Sequence, residues 1–422
     1  MYKKTLKFLL IIGFIISLIY LIYFFFFRNI EEPGDLINKN NLENPFGDEF
    51  PNNQEVFDDL NQDQIDGYEN KLRQITSKPV SGYRIFNKEF DDLVSTSTSD
   101  VFVFTERGTG HVFETTFDYL ENKRLSNLTV PKNYESFILE EGRRVIYRYL
   151  DNNDSETIKT FDFTFKDREI AETNNSLPLL PSDGDFYTNN INQLVISPSD
   201  NIFATLVTES SEGLESLGFT INKENFDDID VVFNSEIFQW NTSWIDDSNI
   251  ALLTSPSYQD DGFLFKINTD NKKMIRVLGP YKGLQAKYSP DGNYILFSSS
   301  SDVRTSSVIL NTETNRVSRT LFSTLADKCG WSSDSTKIYC ANPIVVTQGS
   351  PDIWYKGLSN FDDFLTEYNI ENGDFSILTS SEVGDDLDII NIEVSESGEF
   401  LLFQNKNDLS LWSYDLRQEE IE

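Results

Sequence analysis

Gln285-Ala286-Lys287-Tyr288-Ser289-Pro290-Asp291-Gly292-Asn293-Tyr294-Ile295-Leu296-Phe297 reads as a strand, a tight turn and a second, more hydrophobic strand. Pro pre-sets the backbone, and Asp and Gly tolerate the conformations a sharp reversal needs. Degenerate copies recur along the chain. Aligned on the hydrophobic residue before the turn, they fall at Ile196, Trp244, Tyr288, Trp331 and Val394, at intervals of 48, 44, 43 and 63 residues. The turns that follow are Ser197-Pro198-Ser199-Asp200, Ile245-Asp246-Asp247-Ser248, Ser289-Pro290-Asp291-Gly292, Ser332-Ser333-Asp334-Ser335 and Ser395-Glu396-Ser397-Gly398.

An apolar strand follows each turn, and further strands follow that, as at Gly262–Ile267 and Lys273–Leu278. A period near 44 with about four strands per unit is the pattern of a β-propeller blade. Tyr134–Leu139 with Arg144–Tyr149 fits a further unit, and Val101–Thr105 with Val112–Phe117 and Lys123–Ser126 fits another, which makes seven. The last unit shows three strands from about Leu387 to Leu416. Tyr83–Phe86 is the expected source of the missing fourth, because a closed ring leaves no exposed sheet edge. The expected fold is therefore an all-β propeller of seven four-stranded blades over residues 81–418, with a short tail at 419–422.

The repeated Ser-Pro-Asp-Gly-Asn-Tyr-Ile-x-Phe unit resembles the WD-repeat-like strands of TolB-type propellers and of the propeller half of prolyl oligopeptidase-type enzymes. The resemblance covers roughly residues 81–418 and implies a fold, since propellers host many activities. The chain departs from the WD-repeat pattern. Gly110-His111 occurs once, and Leu411-Trp412-Ser413-Tyr414-Asp415 only echoes the other end. Arg417 is followed only by Gln-Glu-Glu-Ile-Glu, which leaves no room for the α/β-hydrolase half of prolyl oligopeptidase-type enzymes.

Upstream, Phe8 to Phe27 is uncharged over 20 residues. At 1.5 Å per residue such a helix spans about 30 Å, the hydrocarbon thickness of a bilayer. Lys3, Lys4 and Lys7 precede it and Glu31, Glu32 and Asp35 follow. That bias predicts a cytoplasmic tail at 1–7, a single-pass signal anchor at 8–28 and an extracytoplasmic remainder. The run ends in four Phe and Arg28, with no small-residue cleavage site. Residues 29–80, rich in Asn, Asp, Glu and Pro, read as a flexible acidic linker. Within it Asp59, Asn61 and Asp63 place oxygens at alternate positions, as in calcium loops, but Gln64 stands where the sharp-turn Gly belongs. Calcium is the one cofactor this pattern raises, and the other reading is plain acidic linker.

The formal charge of −34 argues against nucleic acid, which needs clustered Lys and Arg. One His and two Cys exclude His-rich and clustered-thiolate metal centres. Cys329 and Cys340 flank the Asp334-Ser335 turn symmetrically, so a hairpin there sets them opposite one another. An extracytoplasmic disulfide is expected, with buried free thiols the alternative.

The long interval before Val394 carries its excess between Ala341 and Phe364, including Asp352, Trp354 and Tyr355. Insertions in repeats map to loops on one face, often the binding face. Two readings follow. Trp354 and Tyr355 are contact anchors for a protein or cell-envelope ligand, or the loop folds back and caps the ring with Trp354 buried. His111 and the acidic pairs Asp227-Asp228, Asp260-Asp261 and Asp385-Asp386 are candidates for acid–base chemistry, but no motif for a nucleophile elbow, a phosphate loop or a dinucleotide turn accompanies them. The sequence therefore points to a membrane-anchored binding or interaction scaffold. A propeller hydrolase acting on envelope glycans or peptides through axial carboxylates is the alternative.

Overall fold

In the computed structural model the Ser289–Gly292 turn joins strands Gln285–Tyr288 and Tyr294–Ser301. Its own side chains hold it. Ser289 Oγ accepts from the Tyr294 amide at 2.9 Å, and Asp291 Oδ1 accepts from the Asn293 amide at 3.0 Å. Gly292 sits at φ +73°, where a side chain would be strained. The same wiring recurs at Ser332, whose Oγ accepts from the Lys337 amide at 2.9 Å, and at Ser395, which serves Phe400 at 3.0 Å. Each turn thus satisfies backbone donors locally.

The structure describes residues 45–46 and 71–417, apart from 92–95, 120, 152, 155, 167–178, 212, 223–224, 227, 302–303 and 380–386. Seven four-stranded antiparallel sheets form an all-β propeller. Their first strands are Val80–Asp91, Asn133–Leu139, Ile191–Ile196, Trp240–Asp246, Gln285–Tyr288, Cys329–Trp331 and Ile389–Val394. These strands meet around the axis. Ser81 and Ser136 hydroxyls lie 2.7 Å apart, Thr242 donates its amide to Gln193 at 3.0 Å, and Ile85 donates to Glu393 at 2.9 Å.

Ring closure differs from the expectation. The fourth strand of blade seven is Leu72–Thr76, paired antiparallel with Leu411–Asp415. Tyr83–Phe86 lies instead within Val80–Asp91, the first strand of blade one. Tyr83–Phe86 has good strand character, so it reads as a strand either way; what decides its blade is pairing with Thr96–Glu106. The ring accordingly starts at Leu72, inside the stretch the sequence reads as linker.

The core lies between blades. Second strands alternate their side chains across the sheet. In blade four, Ile250 and Leu252 pack toward blade three while Ala251 and Leu253 pack toward blade five. Each fully buried Leu contributes roughly 1.5–3 kcal/mol. Among the described residues no helix is long and apolar enough to cross a membrane. The 8–27 span and Asp59, Asn61 and Asp63 lie outside the described residues.

Candidate functional site

The insertion leaves blade six after Lys337–Pro343 and returns at Asp363–Asn369. At its middle is one helical turn, Asp352–Tyr355, which lies across the axis. Three of its side chains reach three other parts of the ring. The Asp352 carboxylate accepts from the Tyr258 amide of blade four at 3.0 Å. The Tyr355 hydroxyl accepts from Gln285 Nε2 of blade five at 2.7 Å and donates to Asp327. Trp354 Nε1 donates to Asp388, just ahead of blade seven. Trp354 is 4% exposed and Tyr355 40% exposed. The cap reading therefore describes Trp354, while Tyr355 keeps an open face.

A buried ion cluster fastens this cap. Lys328 is fully enclosed and pairs with Asp388 at 2.6 Å and Asp363 at 2.7 Å. Lys328 and Lys406 each lie 4.9 Å from the Trp354 ring centre, so two cations attend one indole. Burial pushes the Asp363 carboxyl up to about 6, against the pull of Lys328. Its Oδ2 accepts from the Ile389 amide at 2.7 Å.

Beneath the cap is a cavity of about 440 Å³. It opens at the end of the ring where first strands begin, away from the repeated Ser-Pro-Asp-Gly turns. Its polar wall includes Asn241, Ser243, Lys287, Asp327, Tyr355 and Asn391; its apolar wall is Ala251, Leu253, Leu264 and Ala286. The Lys287 ammonium donates to the Cys329 carbonyl at 2.6 Å. Desolvation lowers its pKa, opposed by Asp327 and Glu393. Desolvation raises Asp327, and it pushes Glu393 up to about 7 although Arg84 and Lys287 are near. The site is thus a partly dry chamber with donors, acceptors and one carboxylate, Asp327, whose proton is held more tightly than in water; Glu393, close enough to act on Lys287, accepts from the Ile85 amide outside the lining.

The remaining sequence candidates lie elsewhere. Cys329 and Cys340 face each other in register and are joined by a disulfide. His111 Nε2 is 3.2 Å from Thr129 Oγ1 in blade one, and its pKa is lowered by burial and Arg124. Asp260 and Asp261 are exposed at a turn, and Asp228 accepts from Asn222 at 3.0 Å. Asp227, Asp385 and Asp386 lie outside the described residues. Among the described residues no group of three or more His, Cys, Asp and Glu side chains converges as a metal site.

Sequence reasoning missed Lys287, Asp327, Glu393 and the Lys328 cluster. A signal existed for two of them. The position just before each aligned hydrophobic residue carries Val195, Ser243, Lys287, Gly330 and Glu393. Charges at a repeat position that is otherwise neutral mark the axial wall.

These features define a seven-bladed β-propeller with a capped axial cavity. No known family profile matches the sequence, and no curated protein matches it. Solved propellers do. An oligogalacturonate lyase in complex with manganese aligns with a TM-score of 0.51 at 11% identity, over 81% of this chain and 99% of that one. An oligogalacturonate lyase from Vibrio parahaemolyticus gives 0.51 at 12%, over 80% and 99%. TolB from Acinetobacter baumannii gives 0.40 at 12%, over 80% of each chain. At these identities the likeness is one of fold.

Proposed function

We propose that this protein is a membrane-anchored, extracytoplasmic binding module whose ligand enters the capped axial cavity. The observation that carries the reading is the cavity itself: about 440 Å³, with neutral polar groups, two cations (Lys287 and Lys406) and the Asp327 carboxylate in its polar lining and aliphatic side chains in the rest. That pairing suits a ligand with hydroxyl or amide groups on an apolar frame, as in an envelope glycan fragment or a peptide segment. The insertion supports it by fixing the mouth rather than by reaching outward. Its Trp354 is clamped, and Tyr355 presents an edge of the opening. The uncharged run at 8–27 and the lysines before it supply the membrane attachment and orientation in this reading.

Titration calorimetry of the full-length protein in detergent with envelope glycan fragments and short peptides tests the site. Binding that is lost in Lys287→Met and Asn241→Ala supports it. Binding indifferent to both substitutions, or none at all, overturns it. Protease accessibility of the ring in intact cells and in inside-out vesicles tests the orientation.

A second reading rests on Glu393, which stands on the first strand of blade seven, accepts from the Ile85 amide at 2.9 Å and has its carboxyl pushed by burial up to about 7. A group poised near neutrality suits general acid–base work in a propeller hydrolase. Turnover of a bound fragment that disappears in Glu393→Gln, with binding retained, favours the hydrolase over the binding module.

A further inference from the structure

Phe46 comes from a polar stretch well ahead of the ring, yet it is 9% exposed and packed between blades four and five. Its ring centre lies 5.6 Å from Tyr281 and 5.4 Å from Phe297, edge-on to both. The other blade-to-blade cores here, between three and four, five and six, and six and seven, draw their buried members from the ring. The repeat explains why this one admits a visitor. The residue opposite each axial-wall position points toward the following blade: Phe203, Ala251, Leu296, Tyr339 and Leu402. Blade four alone of these carries Ala, and that Ala belongs to the core cluster that Phe46 joins.

We propose that the gap beside Ala251 is a recognition pocket for a proline–aromatic segment, filled in cis by Pro45-Phe46 as a latch. Pro45 supports this by fixing the approach of the backbone with little entropy to lose. The pocket also adjoins the axial cavity, because Ala251, Leu253, Leu264 and Ala286 line both. Docking therefore puts Phe46 in a core cluster whose members also wall the cavity. Its chemistry is that of a single aromatic side chain entering an aliphatic slot, which a peptide in trans can reproduce once the slot is empty.

Two measurements on the full-length protein decide it, and neither needs the axial ligand. First, 4-fluorophenylalanine is placed at position 46 and read by fluorine NMR. The expected signal is that of a buried ring, and Ala251→Leu, which gives blade four the residue blades five and seven carry, moves it to the solvent-exposed position. An exposed signal in the otherwise unaltered protein, or a buried one that Ala251→Leu leaves in place, overturns the latch. Second, a peptide of residues 42–50 is titrated into Phe46→Ala. Binding is expected there and is lost with the unaltered protein, with Phe46→Ala carrying Ala251→Leu, and with the peptide's own Phe46 replaced by Ala. No binding to folded Phe46→Ala, or equal binding to all, overturns the pocket. If Phe46→Ala fails to fold, the fluorine measurement alone decides.

Discussion

Trp354 Nε1 donates to both oxygens of the Asp388 carboxylate, at 3.1 and 2.9 Å. Asp388 also takes the Lys328 ammonium at 2.6 Å, so one buried carboxylate ties the insertion to the ring. Trp354→Phe keeps an aromatic ring against Phe361 and removes the indole donor together with the larger ring that Lys328 and Lys406 face, at a cost of about 1–3 kcal/mol. Asp388→Ala strips Lys328 of one partner in a fully buried setting and is expected to cost about 3–5 kcal/mol. Urea midpoints at constant slope measure both. A cost for Asp388→Ala no larger than for Trp354→Phe sinks the idea that this carboxylate is the fastening point.

Stability should depend on pH through Glu393. Its folded pKa, about 7, lies above the ordinary value of 4.5 because burial disfavours the charge. Between those values the folded chain holds the extra proton. Stability therefore falls as pH rises from 4.5 to 7 and is level above. Glu393→Gln removes that slope and is expected to be more stable than the parent at pH 8 by on the order of 2 kcal/mol, less than the bare shift because water reaches the side chain. Near pH 4.5 the two proteins converge. A parent whose stability rises through this window contradicts the assignment.

Alkylation of the denatured protein without reductant should leave its mass unchanged, because Cys329 and Cys340 are bonded to each other. Replacing both by Ser is expected to cost about 2–4 kcal/mol, the usual contribution of a disulfide closing a short loop. Two alkyl groups per chain before reduction rule the bond out.

A protein beginning at residue 81 lacks the strand Leu72–Thr76 and leaves Leu411–Asp415 as an open edge. Ile75, buried in the seam between blades seven and one, goes with it. The expected result is a lower urea midpoint and concentration-dependent association through the freed edge, seen by light scattering. An unchanged midpoint and a monodisperse monomer show that the seam needs no fourth strand.

The blades were legible because their information is local. A Ser, a Pro or Asp and a Gly within four residues fix a hairpin wherever they stand, and the repeat of that hairpin counts the sheets. The Cys pair was legible for the same reason, since hairpin symmetry alone sets its register. Closure was not local. Leu72-Arg73-Gln74-Ile75-Thr76 has one deeply buried side chain, and nothing in five such residues names a partner 340 positions away. The axial site was harder still. Lys287, Asp327, Tyr355 and Glu393 come from blades five, six and seven and are brought together only by the ring. Composition hid them too, since 69 acidic residues make any one carboxylate unremarkable until its surroundings are known. Ala251 was visible in principle, as the smallest residue in an aligned column of Phe, Leu and Tyr.

The seam has a mechanical side. The strand that shuts the ring is the one nearest the N-terminal segment, and it is held by the register pairs from Leu72–Tyr414 to Thr76–Leu411. Among the ring's own strands, this one takes up tension applied from the N-terminal direction first. The tension arrives at the single joint whose opening turns a closed ring into an open fan. Phe46 stands earlier on that load path, wedged between blades four and five, so it gives way before the seam is strained. The ring is thus loaded through its own fastening, with an aromatic side chain as the first element to yield.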